Sequence, residues 1–216
     1  MSKIKQLLLL TSLCAIVISS VATQAHAQAF CQLRHPHRAQ QILFPSSNGQ
    51  QAFASKVSAE HRKKVMDELN FSIHHNELGL HTLYAIFNES DSIRKHLGFI
   101  HVRSEKGEWG LIEVVWALYP DLSIKGFTFQ RCRELSRDEI EADAFKTFIH
   151  HKNSNDLKSY LSQRGDYLAK ALPHLSIEAQ PLGLRILRSA LKTIAVTRIV
   201  WPELSRLSST EKTLER

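Results

Sequence analysis

Through the middle of the chain apolar and polar residues alternate with period two, in four segments at 82–87, 97–103, 109–118 and 122–131. Alternation of this kind marks half-buried β-strands, because successive side chains leave a strand on opposite faces. The connections at 104–108 and 119–121 are of hairpin length, so the last three segments should pair antiparallel in sequence order. The expected sheet is an antiparallel meander of about four strands. In the third segment Ile112, Val114, Trp116 and Leu118 share one face, and Leu111, Glu113, Val115 and Ala117 share the other. Carried into the fourth, the same period sets Ile124, Gly126 and Thr128 against Lys125, Phe127, Phe129 and Arg131.

Flanking segments repeat with a helical period. A short helix is expected at 38–44, stopped by Pro45, and a longer one at 59–70 with Ser58 as N-cap and Val65 and Leu69 on one face. After the strands, Ser136 and Glu139 have the spacing of a capping box ahead of Ile140, Ala144 and Phe148. Further helical turns are expected at 154–163 and 166–172, and a strong helix at 181–200 burying Leu184, Leu187, Leu191 and Ile194. Arg185, Arg188 and Lys192 fall largely off that stripe. Strands needing a cover and helices able to supply it make the fold class α+β.

Composition fixes the scale. A chain of 216 residues, 43% hydrophobic and 23% charged, suits one domain with its own core. Lys3 and Lys5, the apolar run at 7–21 and then Ala25-His26-Ala27 have the pattern of a cleaved signal peptide. The expected organisation is a signal peptide at 1–27, a single α+β domain at 28–202 and a flexible polar tail at 203–216. The apolar run is shorter than the roughly 20 residues of a spanning helix, so no permanent membrane anchor is expected in a periplasmic or secreted product. Without Lys3 and Lys5 the formal charge falls from +7 to about +5, dispersed along the chain. It suits an anionic ligand or surface, or a solvated exterior, and export argues against nucleic acid.

Cys14 leaves with the signal peptide, so Cys31 and Cys132 are the two thiols left for an oxidising compartment. A bridge between them would close a loop of about 100 residues and contribute about 4 to 5 kcal/mol in the chain-entropy model. Two free or separately buried thiols are the alternative.

Candidate chemistry is sparse. His74, His75, Glu77 and His81 lie within eight residues and form the best metal-ligand set, since imidazole and carboxylate suit zinc or copper. Their spacing is not that of a helical zinc motif, and polar loop histidines are the structural alternative. Trp109 and Trp116 could stack on a planar ligand or serve as core and strand-edge aromatics. The chain has no Gly-x-Ser-x-Gly elbow, His-Glu-x-x-His helix, Cys-x-x-Cys pair or haem-attachment motif, so no catalytic residue is assigned and an enzyme is not the expected class.

The order of Leu97-Gly98-Phe99-Ile100, Gly110-Leu111-Ile112-Glu113-Val114 and 122–129, followed by Arg131-Cys132-Arg133-Glu134 and Ala144-Phe145-Lys146-Thr147-Phe148, resembles the FMN-binding domain family of exported electron-transfer proteins. Ile42-Leu43-Phe44-Pro45 looks like the lead-in of such domains. The resemblance covers roughly 97–193. It implies a flavin held through phosphate to a threonine in a Ser-Gly-Ala-Thr motif at the start of the last helix. That motif is absent: Pro181 stands about where the acceptor hydroxyl would lie, and proline has nothing to esterify. The resemblance therefore implies no covalent cofactor and leaves noncovalent FMN open, with Arg131, Arg133, Arg185 and Arg188 as phosphate-binding candidates. The expected function is that of an exported, flavin-domain-like binding or accessory protein with a protein partner in an exported or membrane-bound redox system. The alternatives are a noncovalent FMN electron carrier and a histidine-based metal-binding protein.

Overall fold

The computed structural model describes residues 35–90 and 93–204. The expected signal peptide, Cys31 and the tail beyond 204 lie outside them. Five strands form one antiparallel sheet in sequence order: β1 (Gly49–Val57), β2 (Gly79–Ser90), β3 (Ile93–Lys106), β4 (Leu111–Leu118) and β5 (Ile124–Arg131). The helices are α1 (His37–Leu43), α2 (Ala59–Leu69), α3 (Arg137–Glu141), α4 (Asp143–Ile149), α5 (Ser154–Lys158) and α6 (Gln180–Val200). The fold is a single α+β domain built on a meander.

The sheet has one strand more than expected. β1 was not legible because only Val57, at its end, is buried; Phe53 is half-exposed and the rest shows mostly polar or small side chains to solvent. The polar stretch at 88–90 continues β2 into a long hairpin with β3 instead of ending the strand. The expected helical turns at 166–172 are absent; Leu161 and Leu168 form an isolated bridge there.

Two faces of the sheet are covered unequally. α6 crosses one face over Leu83, Phe99, Ile112, Val114, Trp116 and Leu118, with α2, α3 and α5 packed on its far side. Being enclosed between the sheet and these helices, α6 buries residues nearly all round, including Ser189, Lys192, Thr193 and Thr197. On the opposite face α1 closes a smaller cluster of Ala39, Phe44, Ile86, Ile100, Val102, Val115 and Ala117. The β4 partition is as the period predicts. In β5 it fails, because a bulge between Ala117↔Gly126 and Leu118↔Ile124 makes Lys125 the extra residue and returns Ile124 to the face of Phe127 and Phe129.

Ser58 caps α2 as expected, accepting the His61 N–H at 3.2 Å. The Ser136–Glu139 capping box does not form. Glu139 instead accepts from the backbone N–H and hydroxyl of Ser176 at 2.8 and 2.9 Å, and Ser136 donates to the Glu178 carbonyl, so both side chains tie α3 to the strap before α6.

A second bulge lies where β3 passes β2, with Leu97 the extra residue between Ile86↔Gly98 and Phe87↔His96. Gly98 has φ of +144° there, and a Cβ would run into the Leu118 carbonyl oxygen of β4. Gly98→Ala is expected to lose about 2–3 kcal/mol, read as a lower urea midpoint at unchanged m-value.

Candidate functional site

β3 presents Phe99, His101, Arg103 and Glu105 toward α6, and the last three are ionisable groups on an interior face. Arg103 is 1% exposed and pairs through Nη2 with Oε2 of Glu77, which the 3-10 turn His75–Glu77 aims inward. From α6, Lys192 places Nζ 3.1 and 3.3 Å from the two Glu77 oxygens and 2.5 Å from Oε2 of Glu105. The His74 N–H adds a bond to Glu77 Oε1 at 2.7 Å. Two cations and two carboxylates thus neutralise one another beneath the helix. Burial by itself would raise the Glu77 pKa; Arg103, Lys192 and the His74 amide outweigh it and hold the carboxyl below its ordinary range.

A directed chain of neutral groups continues from this cluster. His81 donates Nε2–H to the Glu77 carbonyl at 2.7 Å, which leaves its Nδ1 as acceptor for His101 Nε2 at 3.4 Å. Nδ1 of His101 in turn accepts from the Thr197 hydroxyl at 3.2 Å, and Trp201 meets the His101 ring edge-on at 5.5 Å. Burial, reinforced by Arg103, pushes the His81 pKa down to about 4. Fully buried, His101 lies well below its ordinary value for the same reasons, with His81 adding to them.

The expected metal set is not assembled. Glu77 spends both oxygens on Arg103 and Lys192, His81 faces the Glu77 backbone, His74 accepts from the Asn76 N–H through Nδ1, and His75 is exposed against the His74 ring. Among the described residues no three His, Cys, Asp or Glu side chains are grouped to hold a metal ion.

The flavin candidates divide. Arg185, 3.5 Å away, and the Trp109 backbone N–H, at 3.1 Å, share Glu134, whereas Arg131 stands 3.9 Å from a different carboxylate, Glu113. Arg133 is exposed on the link from β5 to α3. Arg188 points elsewhere, its guanidinium 4.8 Å over Phe71. Trp116 is fully buried and donates Nε1–H to Ser189 at 3.0 Å, which seats its ring in the core under α6. Pro181 occupies the first turn of α6. Cys132 is buried, and burial pushes its thiol pKa up; its expected partner Cys31 lies outside the described residues.

Sequence reasoning missed His101, Arg103, Glu105 and Lys192. The signal was available: a strand whose apolar face runs Phe99, His101, Arg103, Glu105 extends past the hydrophobic core into residues that need partners on whatever covers it.

These features define a class: a single-domain α+β protein in which a meander sheet holds a central helix through a buried ion network. No protein-family model and no curated protein matches the chain, so the likeness to FMN-binding domains rests on the residues quoted for it above.

Proposed function

We propose that the protein is a binding or accessory module, acting outside the cytoplasm beside a redox system, that carries no covalent flavin and is not an enzyme. The observation supporting this reading is the closed state of the Glu77 network. Acid–base chemistry needs a carboxylate or imidazole within hydrogen-bond reach of a substrate. Here both Glu77 oxygens are taken by cations, and His81 and His101 are neutral and committed to one another under α6. Such a network fixes the helix on the sheet and leaves function to the exterior. Pro181 in the first turn of α6 supports the absence of a flavin ester, since it offers no hydroxyl. The signal-peptide pattern at 1–27 supports export, and among the described residues no helix is long and apolar enough to cross a membrane.

The absorbance spectrum of the protein purified from an exporting host tests the reading. The expected spectrum shows only the aromatic band. A stoichiometric chromophore with flavin bands that survives denaturation would overturn the proposal, and one released by denaturation would make the protein a noncovalent FMN carrier instead.

A further inference from the structure

Two of the three register shifts in the sheet lie on either side of one end of the α1-facing surface, and each turns a residue into the same cavity. Leu97 is the extra residue of β3 and Lys125 the extra residue of β5. Both line a cavity of about 420 Å³ together with Phe44, Ser46, Lys95 and Tyr119. Bulges re-aim side chains at a cost in regular pairing, and they concentrate where a site is being built. Backbone strain gathers at the same place: Leu122, in the turn beside Tyr119, has φ of 66°, and His151 has φ of 58°. His151 stacks on Tyr119 with centroids 4.6 Å apart and planes 2° apart. Its segment is pinned to the β5 bulge by the His151 N–H to the Ile124 carbonyl at 2.7 Å and by His150 Nδ1–H to the Lys125 carbonyl at 2.7 Å.

The charge of the cavity is one-sided. Lys125 holds Nζ 5.3 Å from the centroid of Phe44 and 5.1 Å from that of Tyr119, and Lys95 faces the same space from β3. Among the described residues neither lysine is within ion-pair distance of a carboxylate, whereas Arg94, Arg103, Arg131, Arg137, Arg185 and Lys192 each have one. Among the described residues none that is acidic lines the cavity. The rest of the lining is largely apolar, with Pro45, Leu97 and Pro120 beside the rings of His96 and Tyr119.

We propose that this bulge-built cavity is a binding site for a phosphate monoester on a small flat apolar body, with Lys95 and Lys125 on the anion and Pro45, Leu97 and Tyr119 against the body. Two lysines from different strands supply point charges that a single surface lysine does not, and the apolar walls favour an aryl ester over a bare ion. The proposal deepens the reading of a binding module and rests on it, but it is tested separately.

Phenyl phosphate titrated into the full mature protein, followed by calorimetry or by amide chemical shifts, is expected to bind saturably at low salt and more weakly as salt is added. Lys125→Met and Lys95→Met should each weaken it by about tenfold or more. Inorganic phosphate should bind more weakly than phenyl phosphate, and benzyl alcohol should not compete. Lys95→Glu, a charge reversal on an exposed side chain that leaves the core untouched, should abolish binding while the melting curve stays that of the parent. No saturable binding, equal affinity for bare phosphate, or affinity unchanged in both methionine variants would overturn the assignment. Any of these leaves the absorbance test of the module reading unaffected, so the two can fail independently.

Discussion

Replacing Glu77 with alanine is expected to cost about 3–5 kcal/mol of folding stability, the largest effect of any single polar substitution in the described residues. The reason is what remains. Arg103, 1% exposed, loses its carboxylate, and Lys192 keeps only Glu105. Two cations would then share a sealed site with one anion, and the amide of His74 would lose its acceptor. Chemical denaturation followed by circular dichroism measures the loss, and a change within about 1 kcal/mol would refute the buried-network account. A second variant separates the cost of an orphaned charge from the net worth of the network. Arg103 Nε and Nη1 and Glu105 Oε1 have no partner among the described residues although all are sealed from solvent, so the network is incompletely satisfied as it stands. Replacing Glu77, Glu105, Arg103 and Lys192 together by methionine should therefore be far less costly than the single change, and close to neutral. Equal losses in the single and quadruple variants would mean that the ions contribute directly and not only through mutual compensation.

The sheet was more legible than the site, for a physical reason. Period two reports which face of a strand is buried, and it located β2 to β5 and the core face of β4 from Ile112, Val114, Trp116 and Leu118 alone. It is blind to a residue added by a bulge, so it set Ile124 on the face opposite Phe127 and Phe129 when the Lys125 bulge puts them together. It is equally blind to an edge strand with little to bury, which is why β1 went unseen. The helix stripe fared similarly. Leu187, Leu191 and Ile194 are buried as the period requires, but Leu184 is only partly covered, and Lys192 was set on the solvent side because a lysine is rarely interior unless paired. Its partners, Glu77 and Glu105, are 115 and 87 residues away in sequence, and no local pattern reports a contact of that range. Glu77 was noticed for its neighbouring histidines and read as a metal ligand; folding turns it toward cations instead. Cationic candidates chosen by motif position, Arg131 and Arg185, prove to have carboxylates beside them, whereas Lys95 and Lys125 carry no motif and line the open cavity.

Lowering the pH is expected to unfold the protein well before carboxylate protonation alone would do so, and the sign follows from the two interior histidines. In the unfolded chain each takes up a proton near its ordinary value of about 6.5. In the folded chain His81 resists protonation down to about 4, and His101 likewise is held well below its ordinary value by burial, with Arg103 and His81 adding to it. Between those limits the unfolded state binds more protons than the folded one, so stability is fully present above about pH 6.5 and is lost as the pH falls. His81 alone accounts for about 3 kcal/mol by pH 4, and His101 acts in the same direction. Glu77 adds to the loss at lower pH, because its folded value lies below its unfolded one and its protonation frees the two cations beside it. The groups facing the pair are Arg103 from β3, Thr197 from α6 and Glu77 from the turn before β2, with Lys192 and Glu105 on the far side of Glu77. A proton added at His101 Nδ1 would force the Thr197 hydroxyl to turn from donor to acceptor. Denaturation midpoints measured between about pH 7.5 and 4 should fall steeply for the parent, while the His81→Gln/His101→Gln double variant, although less stable near neutrality, should show a flatter profile above about pH 4.5. A parent whose midpoint holds constant to about pH 5, or a double variant as steep as the parent, would place the acid sensitivity elsewhere than in the Thr197–His101–His81 chain.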